Sequence, residues 1–199
     1  MRLGVNVPNF GPGTNPETLA RWAQTVEGLG FDLLMVSDHI AVTADVAEQY
    51  PAPFYEPFTT LAWLAGLTRR VRLRLGDAWH PLRFTPGWLT SAVDRLKTAA
   101  ADQHMPRPAL MPRIALQLTA SPVTGEDRLA GHGTIGQITD DLERLDLLGA
   151  GTVVLDPFNG DPRETARPQE AWHALAAVAD RWARQQSHNL DTERSCSDT

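Results

Sequence analysis

The 199-residue chain predicts a parallel α/β fold, on three observations: apolar runs alternate with helix-patterned segments, one run is continuously apolar, and helix boundaries carry clean capping signals. Leu3 to Val7 is a short apolar strand followed by a Pro- and Gly-rich loop, Pro8 to Gly13. Asn15 then caps a helix with Pro16 at its first position and Glu17 near the positive end of its dipole. Leu19, Trp22, Ala23, Val26 and Leu29 give that helix a buried face, and Gly30 ends it. Phe31 to Val36 is the continuously apolar run, as expected of a strand covered on both faces, which completes a β-α-β unit.

The remaining elements follow the same alternation. Residues Ile40 to Glu56 form a loop long enough to cover a site at the strand ends, and Pro57 opens a second helix through Leu61, Leu64 and Leu67. Val71, Leu73 and Leu75 alternate with Arg72 and Arg74, a half-exposed strand. Thr85-Pro86 starts a helix with Leu89, Ala92, Val93 and Leu96 inside, and Ile114 to Leu118 is the next strand. Thr134 and Gln137 make a capping box for a helix through Ile138, Leu142 and Leu145 that stops at Gly149. Thr152 to Leu155 is a strand ending in Asp156-Pro157, and Pro168 opens a last helix with Trp172, Leu175, Ala179 and Trp182. This makes about five strands and five helices in one domain, residues 1–184, with 185–199 read as a polar, disordered tail.

Composition narrows the function classes. A net charge of -6 and scattered Lys and Arg give no basic footprint, so nucleic acid is not an expected partner. The amino terminus lacks a signal-peptide core, no stretch is apolar enough to span a membrane, and the single Cys196 cannot form an internal disulfide; the expected location is the cytoplasm. There is no nucleophile elbow, Walker loop, dinucleotide glycine fingerprint or paired-His metal spacing.

Ligands of parallel α/β folds collect at the carboxyl ends of the strands. Asp38 and His39, directly after the apolar strand, are therefore the first catalytic candidates: His39 for proton transfer near neutral pH, Asp38 to orient or charge it, against a bland reading as a turn cap. Asn6 and Phe10 stand at the end of the first strand, where Phe10 can stack on a ligand or pack in the core. Gly76, Asp77 and Trp79, within Gly76-Asp77-Ala78-Trp79-His80, suit either close backbone approach to a ring or phosphate or a structural turn that buries Trp79. Gly131-His132-Gly133-Thr134 can cradle an anion or simply cap a helix, and Asp156 can serve catalysis or cap its turn. The six tryptophans are read mostly as packing, and His104, His173 and His188 as surface residues.

Three groups of residues, Leu19 to Ala23, Glu27 to Asp32 and Val36-Ser37-Asp38-His39, together resemble the amino-terminal part of the bacterial luciferase-like monooxygenase superfamily, most closely its deazaflavin branch. Glu56 to Leu61 and Thr68 to Leu73 extend the likeness; Gly76 to Pro81, Gly133 to Gly149 and the Asp156 strand resemble later parts of that family. The resemblance implies a TIM-barrel-like (β/α) fold, truncated by loss of its central strands, since a full barrel takes about 250 residues. It further implies an oxidoreductase that exchanges hydride between the deazaflavin coenzyme F-420 and a small organic substrate. His39 would be the proton acid/base beside the ring, and Asn6 and Phe10, with Gly76, Asp77 and Trp79, would line the cofactor pocket. Two alternatives stand beside it: a flavin mononucleotide (FMN) monooxygenase, and a degenerate barrel that covers its open sheet edge by homo-oligomerising as a binding or structural subunit.

Overall fold

The structure is a computed structural model and describes residues 1–37, 52–73, 78–158 and 162–197. It is α/β, with a parallel five-stranded sheet made of β1 (Arg2–Val7), β2 (Leu33–Val36), β3 (Arg72–Leu73), β6 (Arg113–Ala115) and β9 (Thr152–Asp156) in the order β3-β2-β1-β9-β6. Its helices are α1 (Pro16–Gly28), α2 (Pro57–Ala65), α3 (Pro86–Asp102), α4 (Ile135–Leu147) and α5 (Pro168–Ser197). Two short parallel pairs complete it: β4 (Ala78–Trp79) with β5 (Ala109–Leu110), and β7 (Gln117–Leu118) with β8 (His132–Gly133).

Helix starts follow local chemistry. Asn15 Oδ1 accepts the Thr18 N–H at 2.9 Å, Thr85 Oγ1 that of Trp88 at 3.3 Å, and Thr134 and Gln137 close the expected capping box. Gly30 and Gly149 take φ of +85° and +87°, which a side chain would strain.

Because strand side chains alternate, β1 serves two faces. Leu3, Val5 and Val7 join Leu34, Ile114, Val153 and Leu155 in a core packed under the helices, where Leu19, Trp22, Leu142 and Leu175 are at most 1% exposed. Trp22 is wedged edge-on between Phe158 and Trp172, both at 5.4 Å between ring centroids. On the opposite face Gly4 lies beside Leu33 and Val154, which cluster with Met111, Met35 and Ala78. A Cβ on Gly4 would stand 2.8 Å from Leu33 Cβ, so only glycine fits that inner layer.

The inner face is concave by necessity. Leu82 bridges Arg113 in parallel, so residues 78–82 flank the far side of residues 109–113 while β3 holds the opposite edge. Five residue steps from Leu73 to Ala78 reach at most about 18 Å. A flat sheet would hold these edges roughly 24 Å apart, five spacings of about 4.8 Å. The sheet therefore curls, yet among the described residues β3 pairs only with β2 and the ring stays open.

Four details depart from the sequence expectations. Residues 114–118 are not one strand: β9 stops at Asp156-Pro157, and the chain changes partner, with Leu116 N donating to Asp156 O and Gln117 N to Gly131 O. The Ala78-Trp79 stretch is a strand rather than a turn, because Met111 N donates to Trp79 O and supplies the partner a turn would lack. Trp63 and Trp88 are 41% and 49% exposed, outside the core face of their helices. The last helix runs on to Ser197 where a disordered tail is expected from residue 185; good helix formers such as Ala183, Arg184, Gln185 and Gln186 extend a helix already nucleated by packing. No helix among the described residues is long and apolar enough to cross a membrane.

A buried ion pair holds the loop before α4. Asp141, 1% exposed, accepts Arg128 Nη1 and Nη2 at 2.8 and 2.6 Å and the Gly131 N–H at 2.9 Å. Asp141→Ala strands the Arg128 guanidinium and should cost about 3–5 kcal/mol in urea unfolding, whereas surface Asp94→Ala should cost under about 1 kcal/mol.

Candidate functional site

Polar side chains converge on the inner face near the carboxyl ends of the strands. Asn6 comes from β1, Asp156 from β9, Arg113 from β6 and His80 from the segment after β4. Asn6 is 2% and Asp156 6% exposed, so neither is a surface group that water can satisfy at will.

Arg113 Nε and Nη2 both donate to Asp156 Oδ2, at 2.9 and 2.6 Å, and Asp156 Oδ1 accepts the Phe158 N–H at 3.2 Å. The pair is charge-matched and ties the first residue of β6 to the last residue of β9. His80 Nδ1 lies 2.6 Å from the Met111 carbonyl oxygen, which fixes the proton on Nδ1 and leaves a lone pair on Nε2. Burial depresses the His80 pKa below 6.5, with Arg113 pushing the same way and the Met111 carbonyl and Asp156 opposing. His80 Nε2 and Asn6 Oδ1 are both buried without a hydrogen-bond partner among the described residues. An unpartnered buried polar atom costs about 1–3 kcal/mol, and Trp22 Nε1 and Trp172 Nε1 under the helices are likewise without a partner among the described residues.

A second set of contacts fastens the rim. Asn9 Nδ2 donates to the Ser37 and Tyr55 carbonyls at 2.9 and 2.8 Å, and Asn9 Oδ1 accepts the Ser37 N–H at 3.2 Å. Tyr55 N donates to Asn9 O and Gly11 N to Pro53 O, so the loop after β1, the end of β2 and residues 53–55 form one unit. Phe10 stacks on Phe54 at 6.0 Å between ring centroids, within this unit.

The sequence candidates fare unequally. Asn6 stands on the inner face; Phe10 is 8% exposed and packed on Phe54; Trp79 is half-buried and lies 6.5 Å from Trp88. Asp38, His39, Gly76 and Asp77 lie outside the described residues. The Gly131 to Thr134 loop uses its N–H groups internally: Gly131 N on Asp141, His132 N on Leu129 O and Thr134 N on Gln137. Sequence reading passed over Arg113 and Asn9 and saw His80 only as part of a motif. Their available signals were an arginine opening an apolar strand and an amide in the Pro and Gly loop. Among the described residues no three His, Cys, Asp or Glu side chains group to hold a metal ion. A concavity of about 540 Å³ opens outside the ends of β7 and β9, with Gln117, His132, Arg167 and His173 among its walls.

Because the folded His80 binds its proton less tightly than an unfolded histidine, its contribution to stability is complete above about pH 6.5 and declines as pH falls below it. Stability measured by denaturant titration should therefore drop between neutral and mildly acidic pH, and His80→Gln should flatten that part of the profile. Histidine NMR titration should place His80 below the ordinary histidine value of about 6.5. The chain matches no protein-family model and no curated protein sequence.

Proposed function

We propose that the chain is a cytosolic oxidoreductase of the luciferase-like type, built on a (β/α) barrel that lacks its central strands. It exchanges hydride between the deazaflavin coenzyme F-420 and a small organic substrate, with His39 as the acid/base. The observation that carries this reading is the strand order β3-β2-β1-β9-β6, continued by residues 78–82 beyond β6. The first three strands stand in sequence and the last ones return to pair with β1, the order a barrel would keep after losing a run from its middle. The polar cluster at the strand ends supports it further, because that is where barrels of this class hold ligands.

The fit to the coenzyme is partial. Asn6 offers a buried acceptor on the inner face to an N–H of the deazaflavin ring. Arg113 is engaged by Asp156 and gives no cation to the coenzyme's phosphate from the inner face. When bound, the coenzyme supplies the hydride chemistry, and the chain supplies orientation, exclusion of water and the proton. Titration of deazaflavin into wild type and His39→Ala, followed by absorbance, should give binding in both and turnover only in wild type. Failure of deazaflavin to bind at any concentration would sink the proposal, and binding of FMN alone would transfer it to the monooxygenase alternative.

One observation favours a second reading, a homo-oligomeric subunit. Phe58, Trp63 and Leu67, in and just after α2, are 58%, 41% and 39% exposed. Light scattering should then give a mass above that of one chain, reduced to the monomer by Phe58→Lys with Trp63→Glu; a wild-type monomer would reject it.

A further inference from the structure

We propose that the cleft between α3 and α4 is a binding site for a small apolar carboxylate of about a dozen non-hydrogen atoms, paired with Arg144 at its mouth. The cleft exists because the two helices do not fill the space between them. On the α3 side its wall is Pro86, Gly87 and Thr90, whose short side chains reach little way across. Opposite them, Asp141, Leu145 and Leu148 recur at the spacing of one helix face. Phe84, Ala130 and Leu145 are each at most 4% exposed and form the sheltered, apolar part, whereas Leu147 is 88% exposed.

Charge selects the class of occupant. Asp141 is already engaged: Arg128 donates to it twice and the Gly131 N–H once, so its charge is balanced and offers nothing to a cation. Thr90 Oγ1 is turned back onto its own helix and donates to the Pro86 carbonyl at 3.1 Å. The exposed Arg144 side chain makes no ion pair or hydrogen bond among the described residues, so the lining carries one unmatched positive charge. A guanidinium at the mouth of an apolar cleft suits a carboxylate whose apolar body goes inside. Volume sets the size: the cleft encloses about 340 Å³, and an apolar cavity of about 150 Å³ admits one benzene ring. A fused two-ring body therefore fits, at the small end of ligand sites. The cleft lies in the helix layer, with walls that include none of Asn6, Asp156, Arg113 and His80, and does not rest on the coenzyme reading.

The test uses the whole ¹⁵N-labelled chain at about pH 7.5, where carboxylates are ionised, and three probes. They are 2-naphthoate, its uncharged counterpart 2-naphthylmethanol, and acetate, which has the charge without the apolar body. Naphthoate should shift the backbone amides of Gly87, Thr90 and Leu148 saturably; naphthylmethanol should bind about tenfold more weakly, and acetate should leave them unmoved. Arg144→Met, which keeps an apolar stem, should bring naphthoate down to the affinity of naphthylmethanol and leave the latter unchanged. A Cβ on Gly87 meets nothing within 4 Å, so Gly87→Phe can fill the cleft without strain and should abolish binding of both naphthyl probes. No saturable shift with naphthoate, equal affinity for the two naphthyl probes, or binding that survives Gly87→Phe would overturn the proposal. So would a lower mass of Gly87→Phe in light scattering, which would make the cleft an interface between copies of the chain. Should the variants not fold, the three-probe comparison on wild type decides it.

Discussion

Four residues join the two edges of the sheet, and the rest of the inner architecture depends on that short tether. With β3 at one edge and residues 78–82 at the other, the connection from Leu73 to Ala78 is too short for a flat sheet. Curling gives the strands a concave face, and a concave face gathers side chains from strands that are not neighbours. Asn6, Asp156, Arg113 and His80 share one side because alternation along each strand puts them there and curvature turns that side inward.

The two faces are stabilised by different physics. Beneath the helices the packing is apolar and dense, with Trp22 held by two aromatic edges and its neighbours excluded from water. The inner face is thinner: Leu33, Met111 and Val154 form a small apolar layer, and above it the polar atoms are only partly paired. The Arg113 and Asp156 bonds tie the strand ends together, while Asn6 and His80 keep acceptors unused. A fold tolerates such a local cost where the rest of its core is sufficient, and the outer core here is the larger of the two.

Much of the fold was legible because its signals are local. The Asn15 cap, the Thr134 and Gln137 box, the glycine stops and the continuous apolar run of β2 each depend on residues within one turn or one strand. The break of residues 113–118 into two strands was not legible, because it is caused by Pro157 ending the neighbouring strand, some 40 positions on by number. The same holds for Arg113, whose partner Asp156 is separated from it by 43 positions. Asn6 and Asp156 were visible as strand-end polar residues, while Arg113 looked like an ordinary charge at the head of a strand.

By itself the sequence determined the alternation of the main strands and helices and where each helix starts, since capping chemistry and periodicity act over a few residues. Tertiary structure decided the strand order, the curl, the pairing of Arg113 with Asp156 and the proton position on His80. Each of these depends on which backbone lies beside which, and a carbonyl such as that of Met111 fixes an imidazole tautomer only once the chain has brought the two within 2.6 Å.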